Sequence, residues 1–170
     1  MPPLSTSHLQ QYQRINITGN AGAGKTTAAH RLGSRLGLPV HSLDPIVWQT
    51  DWKKTPMTLR APLEEELVAR PRWIIDGVSK RVRDAADLVI FLDVPARVCL
   101  FRATMRTLRH LRHQRPEFPP GCPEWQIYLR LVRLIWQFPA RSGLDIRNEA
   151  DQDLRYRIVP PNDFATLIGC

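Results

Sequence analysis

Five short apolar runs recur along the chain, and each leads through turn residues toward a stretch with helical spacing. "RINITG" (14–19), "PVHSLD" (39–44), "WIIDG" (73–77), "LVIFLD" (88–93) and "RYRIV" (155–159) read as strands. Hydrophobicity in "WII" and "LVIFL" is continuous rather than alternating, the pattern of strands covered on both faces. Between them, 25–36 places Ala29, Leu32 and Leu36 on one helix face and stops at Gly37, a residue suited to a helix C-terminus. Residues 61–70 open with Pro62 in the first turn and carry Leu63, Leu67 and Val68 as an apolar stripe. A helix over about 95–111 repeats Val98, Phe101, Met105 and Leu108. Another over 125–138 is rich in aromatics and leucine, with Trp125, Trp136 and Phe138 expected in the core. This alternation predicts an α/β sandwich, a parallel sheet with helices on both faces.

The stretch 112–125, "RHQRPEFPPGCPEW", carries four prolines and a glycine and follows neither period, so it reads as a loop inside the domain. Residues 1–13 read as a frayed tail. The full 1–170 is expected to be a single domain, since one core suffices for this length.

The junction of the first strand and first helix holds candidate chemistry. Gly19, Asn20, Ala21, Gly22, Ala23, Gly24, Lys25, Thr26 and Thr27 contain G-x-x-x-x-G-K-[ST] directly after a strand and directly opening a helix. Glycines there let successive backbone N–H groups converge on phosphate oxygens, and the helix aims its positive dipole end at the same group. Lys25 would neutralise the β- and γ-phosphates of ATP, and the Thr26 hydroxyl would coordinate Mg2+. The alternative is a glycine-rich turn that binds nothing. Neither an N-K-x-D or T-K-x-D clamp nor a D-x-x-G switch occurs, which excludes the GTPase pattern, and large motor ATPases need more chain. A small kinase remains.

Such a site needs a second acid at a strand end to hold magnesium through water. Asp76 after "WII" and Asp93 after "LVIFL" compete, and Asp76 is favoured because Asp93 runs into Val94-Pro95 and an ordinary helix start. Asp44 ends the second strand, where parallel α/β folds bind ligands; it would orient an acceptor hydroxyl or take its proton, or else merely cap a turn.

Charge sharpens the picture. The chain carries a formal +8, and 97–141 alone holds nine arginines against two acids. A field of this sign attracts nucleotide phosphates or a nucleic-acid backbone. Arg102 and Arg106 lie four apart on one helix face. Three widely spaced cysteines, Cys99, Cys122 and Cys170, with no C-x-x-C pair, point to reduced thiols and a cytoplasmic setting. His110, His113 and Cys122 lack a standard zinc spacing. Trp48 and Trp52, four apart, would stack on a ring or simply pack.

The loop motif, "LDPIVWQTDWKKTP", "WIIDG" with Arg81, "LDVP" with Arg102 and Arg106, and "RPEFPPGCPEW" with "WQFPARS" occur in an order that resembles the DNA topology modulation proteins of FlaR type. These are adenylate-kinase-like members of the P-loop kinases, and the resemblance covers about 14–142. It implies a three-layer P-loop NTPase fold with a five-stranded parallel sheet of order 2-3-1-4-5, an acceptor-binding insertion over 44–72 and an arginine-rich lid over 106–125. It also implies that Arg102 stacks on the adenine of ATP, that Arg106 reaches the transferring phosphate and that Arg81 anchors an acceptor phosphate. One departure stands out: adenylate kinases read D-G-F-P-R, whereas this chain has Asp76-Gly77-Val78-Ser79-Lys80-Arg81, which argues against AMP as acceptor.

The expected activity is therefore ATP-dependent transfer of a phosphoryl group to a nucleotide or other small acceptor, with catalytic roles for Lys25, Asp44, Arg81 and Arg106. Two rivals stand beside it: an ATP-binding regulator that grips DNA through its arginine face, supported by charge alone, and a degenerate protein that hydrolyses ATP slowly.

Overall fold

The computed structural model describes residues 6–109 and 124–163. In chain order its elements are α1 (Thr6–Leu9), β1 (Arg14–Gly19), α2 (Lys25–Leu36), β2 (Val40–Ser42), α3 (Asp44–Val47), β3 (Trp48–Gln49), β4 (Lys53–Lys54), α4 (Met57–Val68), β5 (Trp73–Asp76), α5 (Lys80–Ala85), β6 (Leu88–Leu92), α6 (Ala96–Arg109), α7 (Tyr128–Gln137), α8 (Ser142–Gln152) and β7 (Tyr156–Val159). The main sheet is parallel with order β2-β5-β1-β6-β7. Setting aside the two-residue hairpin strands β3 and β4, this is the expected order 2-3-1-4-5.

Both faces of the central strands are covered, as continuous hydrophobicity requires. Ile15 and Ile17 of β1, Ile74 of β5, and Leu88 and Ile90 of β6 join one buried cluster with Ala28, Ala29 and Leu32 of α2, Cys99 and Ala103 of α6, and Leu131 and Ile135 of α7. Trp73 and Ile75 of β5 and Val89 and Phe91 of β6 join the other, against Leu67 of α4, Val82 of α5 and Ile146 of α8. Three layers result.

Several expectations need correction. The N-terminal segment is not all frayed tail: α1 forms within it and Leu9, 1% exposed, enters the first cluster. Helix α4 begins at Met57, four residues early, so Pro62 lies inside it rather than in its first turn. Pro62 and Thr58 are both exposed, so water can serve the carbonyl that proline leaves without a donor. The α4 face is also rotated. Leu63 is exposed, while Glu64 is fully buried because Arg60 Nε and Ser79 Oγ satisfy its carboxylate at 2.5 and 2.8 Å. On α6 the buried positions are Cys99, Ala103 and Thr107, and Phe101 and Leu108 face solvent. Small residues win there because α6 must approach the phosphate loop closely. Trp125 and Trp136 are exposed, whereas Phe138 does join the core. Helices α5 and α8 were not foreseen, since short or polar segments give weak periodicity.

Arg83 of α5 is 5% exposed and bonds Glu149 of α8 at 2.7 and 3.1 Å, while the Tyr156 hydroxyl donates to Glu149 at 2.6 Å. The bonds from Arg83, against a smaller opposing effect of burial, hold the Glu149 carboxyl below its ordinary value. Burial, then the bond to Glu149, pushes the Tyr156 phenol up to about 12. A depressed carboxyl stabilises the fold above its unfolded pKa and loses that contribution as pH falls through its folded one. Arg83→Met should therefore lower unfolding stability by about 2–4 kcal/mol near neutral pH, read from urea denaturation. The loss should shrink as pH falls from the ordinary glutamate value of 4.5 toward the lower value at which Glu149 takes up its proton in the folded protein.

Candidate active site

The loop between β1 and α2 is shaped by contacts that forbid side chains. Gly22 and Gly24 have φ of 85° and 97°, in the left-handed region. A Cβ on Gly22 would stand 2.4 Å from the Cys99 carbonyl of α6, inside any tolerable contact. The loop thus passes flush against the start of α6, and the N-terminus of α2 points into the space above it.

Asn20 ties this loop to its surroundings. Its backbone carbonyl accepts the Ala23 N–H at 3.1 Å and the Lys25 Nζ at 3.0 Å. Its side-chain amide donates to the Ile135 carbonyl of α7 at 2.9 Å. That carbonyl would ordinarily bond the N–H four residues on, but residue 139 is proline and has none. Asn20 supplies the missing donor and is 3% exposed in doing so.

Lys25 sits beside two carboxylates. Burial drives its pKa below the ordinary lysine value, Asp44 and then Asp76 push it back up, and the Arg106 guanidinium of α6 lowers it further. The strand-end acids, the loop lysine and Arg106 therefore share one electrostatic neighbourhood. Arg102, one turn earlier on α6, reaches the Ala23 carbonyl with Nη1 at 3.5 Å.

Asp76 ends β5 in register with Ile17 of β1 and Ser42 of β2. It is 3% exposed, and its Oδ2 is buried with no hydrogen-bond partner. A buried carboxylate oxygen without a donor is costly unless a cation or water completes it. This fits magnesium, which takes one or two carboxylates and otherwise water and phosphate oxygens. No cluster of three or more His, Cys, Asp or Glu occurs among the described residues, which excludes an all-protein cage there. Asp93 is otherwise engaged: Arg147 of α8 bonds it at 2.6 Å while lying 5.6 Å from the Phe91 ring centroid.

Asp44 opens α3, its N–H 3.3 Å from the Ser42 Oγ. The two acids are coupled through the backbone. The Leu43 N–H donates to the Asp76 carbonyl at 3.0 Å, and the Leu43 side chain rests on Gly77, where an added Cβ would meet it at 2.7 Å.

Arg81 on α5 pairs with Glu65 of α4 through Nη1, and its Nε is buried without a partner. Also on α4, Glu64 accepts from Arg60 and from Ser79, a network for which the apolar stripe read along that helix gave no sign. Trp48 and Trp52 pack edge to face, centroids 5.5 Å apart, with Trp52 5% exposed. The Arg130 guanidinium of α7 lies 5.4 Å from the Trp48 centroid. Trp52 holds φ at 55°, strain for a bulky residue that its buried ring offsets. The two rings thus pack on each other, with Trp48 only half-buried. His110, His113, Cys122 and most of the proposed lid lie outside the described residues.

Sheet order, loop and helix placement together define a P-loop kinase-like α/β fold. No protein-family model matches the chain, and no curated protein is recognisably similar to it. Solved structures similar to it include shikimate kinase from Acinetobacter baumannii in complex with shikimate, at 16% identity over 97% of this chain and 93% of that one, TM-score 0.57. Shikimate kinase from Bacteroides thetaiotaomicron is 19% identical over 93% and 95%, TM-score 0.55. A sugar kinase from Janibacter sp. is 18% identical over 92% and 90%, TM-score 0.51. At these identities the likeness is one of fold. No helix among the described residues is long and apolar enough to cross a membrane.

Asn20→Ala should lower unfolding stability by about 1–3 kcal/mol, because the Ile135 carbonyl loses its donor in a buried place. Asn20→Asp should cost more, since it sets a carboxylate against that carbonyl; chemical denaturation of both variants checks the order.

Proposed function

We propose that the chain is an ATP-dependent small-molecule phosphotransferase of nucleoside-monophosphate-kinase-like architecture, acting as one domain on a nucleotide or other small acceptor. The observation that carries this reading is the Lys25 ammonium, bonded to the Asn20 carbonyl at the mouth of the glycine loop with Asp44 and Asp76 beside it. An ammonium parked on a carbonyl at a helix N-terminus is poised to transfer to phosphate oxygens. The solved kinases of similar fold lend support.

In this reading the backbone from Gly19 to Thr27 holds the triphosphate, and Thr26 and Asp76 hold magnesium, which supplies charge neutralisation at the phosphates. Asp44 orients the acceptor hydroxyl and accepts its proton as the oxygen bonds the γ-phosphorus. The bond from that phosphorus to the bridging oxygen breaks, ADP leaves, and Lys25 neutralises the charge it carries away. Arg106 meets the developing charge on the phosphoryl group, Arg102 stacks on the base, and Arg81 exchanges Glu65 for an anionic group of the acceptor. The arginine-rich 106–125 segment acts as the lid that excludes water. The nucleic-acid reading rests on charge alone.

A panel of small hydroxyl and nucleotide acceptors, screened by ADP release with Mg2+ present, tests this. The active acceptor should raise release well above background, and Lys25→Ala should remove the increment. Arg106→Ala should cut kcat by about 10²–10³ with a smaller change in KM. ADP release that is the same with every acceptor and without any would sink the kinase reading in favour of simple hydrolysis.

A further inference from the structure

Helix α7 meets the core through Leu131 and Ile135, yet it carries a second set of apolar side chains that face water. Trp125, in the turn that leads into the helix, is exposed, as are Leu129 at 83% and Trp136 at 65%. With half-buried Val132 they follow at i, i+4, i+7 and i+11, the spacing of one helical stripe. The stripe continues onto α6. The Thr104 hydroxyl of α6 and the Tyr128 hydroxyl of α7 share a hydrogen bond of 2.7 Å, which pins the two helices side by side. Phe101 and Leu108, both exposed, lie three residues before Thr104 and four after it, so they share its face. Trp125 and Val132 stand in the same relation to Tyr128. One apolar face therefore runs across both helices, and side chains this exposed form a ridge rather than a groove.

The charge beside the ridge has one sign. Arg97, four residues before Phe101, and Arg133, four after Leu129, are exposed in the same rows. Neither α6 nor α7 contains an acid. A second copy pressed onto this face would bring those guanidinium groups against their own counterparts, whereas an anionic occupant is drawn to them. A protruding ridge also favours a partner that yields around it, as lipid does, over a folded surface that must already hold a matching hollow. Tryptophan suits that setting, because its ring is apolar and its N–H is polar, and it gathers where headgroups meet acyl chains. Arginine adds attraction to acidic headgroups.

We propose that the α6–α7 face centred on Trp125, Leu129 and Trp136 docks on an anionic phospholipid surface, lying in the headgroup layer without spanning it. An apolar ridge of a few side chains assisted by charge gives reversible attachment rather than permanent anchoring. The attachment is independent of what the phosphate loop binds, and it goes beyond the phosphotransferase reading.

Co-sedimentation of the whole chain with vesicles tests it, using phosphatidylcholine alone and phosphatidylcholine with about 30% phosphatidylglycerol. The wild type should partition onto the anionic vesicles at least about tenfold more strongly than onto the neutral ones, and its tryptophan emission should move to shorter wavelength on binding. Leu129→Ser combined with Trp136→Ser should lower anionic partitioning about tenfold while leaving every charge in place. Leu129→Ser alone, at the most exposed position of the stripe, should give a smaller loss of the same sign and decides the matter if the double variant does not fold. Leu134→Ser removes an exposed leucine off the stripe and should bind as the wild type does. Absence of binding to the anionic vesicles overturns the inference. Variants of the stripe that bind as well as the wild type also overturn it, since charge alone would then be responsible. A wild-type dimer in analytical ultracentrifugation that the double variant abolishes overturns it in favour of a second copy. The vesicle assay needs no nucleotide, so its failure leaves the phosphotransferase reading standing.

Discussion

An ammonium taken out of water must be given partners, and around Lys25 the molecule is arranged to give it some. Burial lowers its pKa from the ordinary lysine value, the charges of Asp44 and Asp76 oppose that shift, and the Asn20 carbonyl accepts its hydrogen bond. Those three partners come from three different elements, the loop, the start of α3 and the end of β5, so their convergence depends on the strand order that puts β5 beside β1. The opposing charge of Arg106 keeps the balance close. Beside it, Asp76 keeps a buried oxygen without a hydrogen-bond donor, a cost that the fold carries at the end of β5.

The second constraint is closeness of backbone. The loop lies so near the Cys99 backbone of α6 that residue 22 can have no side chain. Cys99 and Ala103, both small, are the α6 residues in the core cluster shared with β1 and α2. The proline at 139 has a similar reach: by withholding a donor from Ile135 it opens a carbonyl in α7 for Asn20, so that a turn at the end of one helix fixes a loop side chain 115 residues from that carbonyl in sequence.

Sequence reading located the parts whose signal is local and chemical. The glycine loop, Asp76 at the end of β5 and the five strands all follow from residue type at fixed spacing, and the sheet order agrees with the resemblance; Asp44 lies two residues past β2, where it opens α3 rather than ending the strand. It failed where a tertiary contact outvoted local hydrophobicity. Phe101 and Leu63 are apolar and exposed, while Glu64 is charged and fully buried, its carboxylate satisfied by Arg60 one turn earlier on α4 and by Ser79 from the turn before α5. The Ser79 contact cannot be seen along one helix. The Asn20 link to α7 was hidden for a related reason, since its cause is a proline over a hundred residues downstream.

The clasp between Leu43 and Gly77 ties the two strand-end acids into one body. Asp44 cannot drift independently of Asp76, because the residue before it is bonded to the backbone of one and wedged against the glycine that follows. The hairpin of β3 and β4 and the exposed face of α4 lie outside this clasp, so their outer residues can vary without shifting the two carboxylates relative to each other.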